Sequence, residues 1–320
     1  VPKKLTSVEI CAGGGGQAIG LEQAGFRHIA LVDNDTFACA TLQRNRPKWS
    51  VFEEDLRVFL EKHASAYTGQ VDLLAGGVPC PPFSVAGHKR GREDERDMFP
   101  VALNLVKELS PRAVMLENVR GLLDGSFEDY RRHIDARFRR MGYKSEWRLL
   151  NASEFGVPQL RPRVVCVALK KDLFPLFSWP EPITPNGNAL TVGKKLLLLM
   201  AANGWEGAAE WAKKADRIAP TLVGGSKKHG GPDLGPTRAK RQWAELGVDG
   251  LGLANAAPMP GFIGMPRLTV PMAAVLQGFP EKWEFVGGKT AAYRQVGNAF
   301  PPPVAKAVAL KIREALKNEV

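Results

Sequence analysis

The feature that most restricts the fold of this chain is an alternation, through its first half, of short apolar runs with helix-period patterns. Residues 8–11, 28–32, 71–75 and 113–116 read as strands, and residues 17–24 and 37–44 as helices between them. Met98, Ala102, Leu105 and Leu109 recur at helical spacing before Pro111 stops the helix. Strands joined through helices must lie parallel and be covered on both faces, so the expected class is α/β, a doubly wound, mostly parallel Rossmann-like sheet. Residues 163–169 add one more β-branched strand. From about residue 180 to 264, glycine and proline become dense and periodicity fades, with short helical pieces at 206–214 and 239–246. This predicts a smaller, loop-rich second unit, and residues 304–316 form an amphipathic helix suited to pack back on the first. Trp205, Trp211 and Trp243 are expected to be the second unit's small core.

Composition narrows the partners. The formal net charge is +11, which favours a polyanion. The basic residues gather at His88–Arg92, at Arg131-Arg132 through Arg140, at Lys227-Lys228 and at Arg238–Arg241. Four cysteines and five histidines show no ligand spacing, so reduced thiols and no metal are expected. The longest aliphatic cluster, 196–202, is too short to span a bilayer and no signal peptide is evident, so the expected protein is soluble and cytoplasmic with no membrane partner.

Four constellations carry chemistry. Gly13-Gly14-Gly15-Gly16 lies between the first strand and the first helix, where backbone amides can approach a ligand. Asp33 ends the second strand about twenty residues on, the position from which an acid accepts ribose hydroxyls, and Asp55 is placed to meet an adenine amino group. A nucleoside-containing cofactor follows. Cys80, in Gly76-Gly77-Val78-Pro79-Cys80-Pro81-Pro82-Phe83-Ser84, follows a buried strand on a turn stiffened by prolines, as a presented nucleophile would. Glu117-Asn118 follows another strand, so its carboxylate should emerge at the same sheet edge, with a pKa raised by desolvation. Arg161 and Arg163, two residues apart, share a face if extended and can hold an oxygen-bearing group.

These segments, in this order and followed by Leu276-Gln277-Gly278-Phe279-Pro280 and Gln295-Val296-Gly297-Asn298, resemble the cytosine carbon-5 DNA methyltransferases of bacterial restriction-modification type. The resemblance implies transfer of a methyl group from S-adenosylmethionine, leaving S-adenosylhomocysteine, to carbon 5 of a cytosine rotated out of duplex DNA. It implies Cys80 as the nucleophile and Glu117, Asn118, Arg161 and Arg163 as its catalytic company. Cys11, Ala12, Gly13, Gly15 and Gly16 would hold the cofactor together with Asp33, Asn34, Asp55 and Leu56, and with Pro79, Phe99, Asn298 and Ala299. Ser84, Lys89, Arg90, Thr221, Lys227, Lys228 and Arg241 would contact DNA. Residues 1–178 with 289–320 would form the catalytic, cofactor-binding domain and 179–288 the target-recognition domain, in a monomer whose partners are double-stranded DNA and a restriction endonuclease of the same site.

The chain departs from the family pattern at three places. Cys11 stands where phenylalanine is common, Pro81 where glutamine is, and Met272 near the place of a glutamate. A nicotinamide dehydrogenase would explain the glycine turn and Asp33 but neither Cys80 with Glu117 nor the basic middle. A non-catalytic DNA-binding regulator is at odds with the intact Pro79-Cys80 and Glu117-Asn118 pairs. A tRNA-methylating relative would carry a Cys-Phe-Thr signature, which is absent.

Overall fold

A computed structural model describes residues 4–79, 97–184, 190–225 and 231–318. Its centre is a seven-stranded sheet in the order β3-β2-β1-β4-β5-β7-β6. The strands are β1 (Thr6–Ile10), β2 (Arg27–Asp33), β3 (Val51–Glu53), β4 (Leu73–Gly77), β5 (Ala113–Val119), β6 (Tyr143–Asn151) and β7 (Pro162–Lys170). Pairing is parallel from β3 across to β5, whereas β7 runs antiparallel to both β5 and β6. The register sets Gly77 beside Glu117 and Val119 beside Arg163. The reversed strand therefore delivers its first residues to the edge where the parallel strands end.

The helices are α1 (Gly16–Gln23), α2 (Thr36–Asn45), α3 (Leu56–Lys62), α4 (Phe99–Leu109), α5 (Glu128–Arg140), α6 (Val192–Met200), α7 (Ala208–Lys214), α8 (Thr237–Glu245), α9 (Val270–Leu276), α10 (Lys289–Asn298) and α11 (Pro302–Lys317). One sheet face buries Val8, Ile10 and Leu74 under α3, α4 and α5; the other buries Leu73, Ala75 and Met115 under α1 and α11. None of the described helices is long and apolar enough to cross a membrane.

Two elements escape a periodicity reading. β6 has little apolar content because it is the edge strand, with most of its residues partly or fully exposed. α5 is so rich in arginine that its sequence reads as a charged cluster, yet it anchors itself through buried Ile134 and Phe138. The loop-rich stretch has no named strand among its described residues, and its α6 to α9 pack with Ala18, Leu31, Leu42 and Val296 in one apolar cluster. Trp205, Trp211 and Trp243 lie buried in that cluster, as expected. At the start of α9 the Thr269 hydroxyl caps Met272 N, and Thr269 N in turn donates to the Met272 thioether at 3.4 Å. Sulfur thus occupies the acceptor place that a glutamate fills in a capping box, as a weaker acceptor.

Candidate active site

The carboxyl ends of β1, β2, β4 and β5 open on two adjoining cavities, of about 260 and 420 Å³, that share Cys11, Asp33 and Pro79. This is the sheet edge at which open α/β folds bind ligands. In the first cavity, Ala12, Gly13, Gly14 and Gly16 form one wall, and Glu117, Asn298 and Ala299 lie among the others. Asn34, Asp55, Leu56 and Met98 line the second. Asp33 holds the glycine loop, accepting from Gly13 N at 2.7 Å through one carboxylate oxygen and from Asp35 N at 2.8 Å through the other. Asp55 caps α3 by accepting from Arg57 N at 2.8 Å and pairs with the Arg57 guanidinium. Cys11 sits in the left-handed region at φ 50°. Burial first, then the charges of Asp33, Asp55 and Glu9, push its thiol far above the usual range, so it is held as a neutral wall residue.

Glu117 is the chemical centre of the described site. Its side chain is 10% exposed and Arg163, 12% exposed, donates Nε to Oε1 at 2.8 Å. Burial raises the carboxyl pKa, and Arg163 and Arg161 only partly pull it back. A Cβ at Gly77 would lie 3.1 Å from Glu117 Oε2, so glycine lets the carboxyl lie flat against β4. Asn118 Nδ2 donates to Val78 O at 2.7 Å, fastening the chain that leads to Pro79. Pro79 is the last described residue before the nucleophile candidate. Cys80 itself, with Ser84, Lys89, Arg90, Lys227 and Lys228, lies outside the described residues.

Three expectations, for Arg161, Phe99 and Gly15, need correction. Arg161 is fully buried, and its guanidinium donates to Leu222 O and Gly297 O, each at 2.6 Å, and to Ala299 O at 2.9 Å. Those donors are occupied by backbone, so Arg161 ties β7 to the segment around Leu222 and to the end of α10 rather than reaching a substrate. Phe99 is core, edge-on to Tyr130 and packed near Trp147, and its neighbour Met98 lines the cavity instead. Gly15 turns away from the cavity: a Cβ there would meet Trp283 at 2.8 Å and Leu42 at 2.9 Å, and φ is 91°. The Thr221 hydroxyl donates to Leu160 O and stitches the recognition segment to the approach of β7. Arg241 is exposed on α8.

Two lining residues were not anticipated. Glu9, in the middle of β1, is completely buried against the first cavity with neither carboxylate oxygen in a hydrogen bond. Burial foremost drives its pKa well up; the neighbouring Ala18 backbone opposes that rise and Asp33 adds to it. A charged residue inside an apolar strand was the signal available for it. Arg294, the residue before Gln295-Val296-Gly297-Asn298, reaches the same cavity with Nη2 at 3.4 Å from Asp35 Oδ2.

The Arg161 contacts carry a prediction. Arg161→Met leaves Leu222 O and Gly297 O without their donor, while Ala299 O keeps the Gln277 side-chain amide at 2.8 Å; each orphaned group costs about 1–3 kcal/mol. The variant is expected to lose at least about 2 kcal/mol of stability in urea unfolding. A loss below about 1 kcal/mol would show that water replaces the guanidinium freely.

A doubly wound sheet whose parallel edge presents a glycine turn, two acids and a buried Glu-Arg pair defines an enzyme of the Rossmann-like methyltransferase class. The model of the C-5 cytosine-specific DNA methylases matches residues 5–314. Type II methyltransferase M.NaeI of Lentzea aerocolonigenes is 56% identical over 320 residues, covering 99% of this chain and 76% of that protein. Type II methyltransferase M.NgoMIV of Neisseria gonorrhoeae is 53% identical over 319 residues, covering 99% of each. Among solved structures, the S. pombe Dnmt2 methyltransferase superimposes with a TM-score of 0.62 at 18% identity, over 98% of this chain and 99% of that one. The chain belongs to the C-5 cytosine-specific DNA methylase family. It is a sequence-specific DNA (cytosine-5)-methyltransferase.

Proposed function

We propose that this enzyme methylates a cytosine swung out of duplex DNA, through a transient bond from Cys80, with S-adenosylmethionine as donor. The carrying observation is Glu117: a buried carboxyl with a raised pKa, clamped by Arg163 beside Pro79 on the wall of the first cavity. Cytosine carbon 5 is a poor nucleophile. Addition of the Cys80 thiolate to carbon 6 forms a C–S bond, and the ring charge is relieved as Glu117 gives or shares a proton at N3. Carbon 5 then has enamine character and takes the methyl group. Loss of the carbon-5 proton restores the ring and breaks the bond to Cys80. Arg163, with one nitrogen on Glu117, would orient that carboxyl and offer its remaining donors to the cytosine carbonyl oxygen.

The described residues fit the donor. It supplies an electrophilic methyl on a positively charged sulfur, and the unpartnered Glu9 carboxylate is the group that such a cation would satisfy. The loop at Gly13, Gly14 and Gly16 lets a ligand approach the backbone closely, and Asp33, at the end of β2 on both cavities, stands where an acid meets ribose hydroxyls. Asn34, Asp55, Leu56 and Met98 suit an adenine ring, and Asn298 and Ala299 close the other side. Cys11 offers a smaller contact there than the phenylalanine of the family pattern.

Residues 1–178 with 289–320 are read as the catalytic domain and 179–288 as the target-recognition domain, with Lys227, Lys228 and Arg241 as its basic DNA contacts. Rotating the base out costs a few kcal/mol, which those backbone contacts offset. The enzyme is proposed to act as a cytoplasmic monomer, alongside an endonuclease that cuts the same site. The deciding experiment incubates enzyme and donor with a duplex carrying 5-fluorocytosine at the target. Fluorine blocks loss of the carbon-5 substituent, so a complex that survives denaturing electrophoresis is expected. A gel without a retarded band would falsify the covalent route.

A further inference from the structure

At the opposite end of the sheet, a second basic feature has no part in the catalysis above. A cavity of about 450 Å³ lies where α4, α5, the start of β6 and the end of β7 meet, and Lys107, Ser110, Arg137, Arg140, Tyr143 and Lys170 line it. Ala113 and Leu169 pair at this end, four residues of β5 from Glu117, or roughly 13 Å of strand. Four cations thus converge on one concavity, and none of them forms an ion pair with a described carboxylate within 4 Å. Arg137 Nη2 donates only to the Asn104 side-chain oxygen, at 2.7 Å. Lys170 Nζ lies 4.2 Å above the Tyr143 ring and donates to Ser110 Oγ at 3.2 Å. Asp172 is the acid whose charge acts on it.

Helix ends explain part of this charge. α4 and α5 both finish at the cavity with basic last turns, but two helix C-termini amount to about one negative charge. Four cations exceed that. Ser110, the left-handed C-cap that ends α4, adds a hydroxyl at the cavity rim. Two guanidinium forks, two ammonium groups and a hydroxyl match the several oxygens and multiple charge of a phosphate better than a single carboxylate.

We propose that the cavity between α4, α5 and the β6–β7 edge is a phosphate-binding site, separate from the catalytic cleft, for a phosphodiester of a second DNA segment or for a free phosphate. Gripping a second duplex would let the enzyme transfer between DNA segments without dissociating fully. The test uses the full chain with its catalytic cleft saturated by unlabelled target duplex. Anisotropy follows a labelled A·T-only duplex across a salt series, and phosphorus NMR follows inorganic phosphate. The variant is Lys107→Gln with Arg140→Gln, both exposed positions, and thermal unfolding verifies that it folds.

If DNA is the source, the variant binds the second duplex about tenfold more weakly and its salt slope falls by roughly 2, while methyl transfer at saturating target is unchanged. If free phosphate is the source, phosphate line broadening disappears in the variant and the second duplex is unaffected. Either result supports the site. Equal behaviour of wild type and variant toward both probes overturns it, and because turnover is measured separately, that failure leaves the Cys80 chemistry untouched.

Discussion

Cys80→Ser is expected to lower the methyl-transfer rate by at least about 10³-fold, equivalent to about 4 kcal/mol of barrier. A serine hydroxyl at neutral pH is essentially un-ionised and is the weaker nucleophile, so carbon 6 would receive no usable attack. An ordinary cysteine thiol is already a few per cent thiolate at neutral pH, and any nearby positive charge favours more. Tritiated methyl incorporation into target duplex measures the rate. Binding of duplex should survive, because the substitution removes one atom's chemistry and no charge. Turnover within tenfold of wild type would transfer the nucleophile's role to some other group, and Cys11, held neutral in the cavity wall, is unsuited to it.

The second large effect is expected of Glu117→Gln. General acid or base assistance is worth about 10²–10⁴-fold, and glutamine keeps the size and one oxygen for Arg163 while giving up the exchangeable proton. The sign of the pH dependence follows from the direction of the shift. Burial stabilises the protonated carboxyl, so its acid function is present at low pH and is lost as pH rises through the raised value. Its share of folding stability has the same sense: present below the unfolded carboxylate value and gone above the folded one. The variant should therefore show a lower rate without that declining limb. Retention of the wild-type profile at a reduced rate would assign Glu117 to positioning alone. Measuring thermal unfolding beside the rates separates loss of chemistry from the cost of disturbing a buried ion pair, which can reach about 3–5 kcal/mol when one partner is removed.

Much of this molecule was legible in its residues because local physics suffices for it. Apolar runs of strand length, the helix period of Met98 to Leu109 and the glycine turn each declare themselves within a few positions, and β1, β2, β4 and β5 lie close to where those signals fall. β6 and α5 did not declare themselves, since an exposed edge strand and an arginine-studded helix bury too few side chains to leave a period. The site divides in the same way. Glu117, Asp33 and the glycine turn could be named in advance because a polar residue directly after a strand has few other places to be.

Arg161 shows the limit. In sequence it is as good an active-site cation as Arg163, two positions on. Only the assembled molecule turns it toward Leu222 O, Gly297 O and Ala299 O and gives Glu117 to its neighbour. Phe99 and Met98 exchange roles for a similar reason: the start of α4 sends one ring into the core beside Tyr130 and leaves the other side chain on the cavity. The amino-acid sequence by itself determined the class of fold, the order of the motifs and the kind of chemistry, since these rest on residue type and short spacing. Tertiary structure alone decided which guanidinium faces the carboxyl, that Glu9 is sealed without a partner, and that four cations meet behind the sheet. Each of those depends on chain segments far apart in sequence closing on one another; the antiparallel insertion of β7 sets Arg163 beside the end of β5 and brings Lys170 to the ends of α4 and α5.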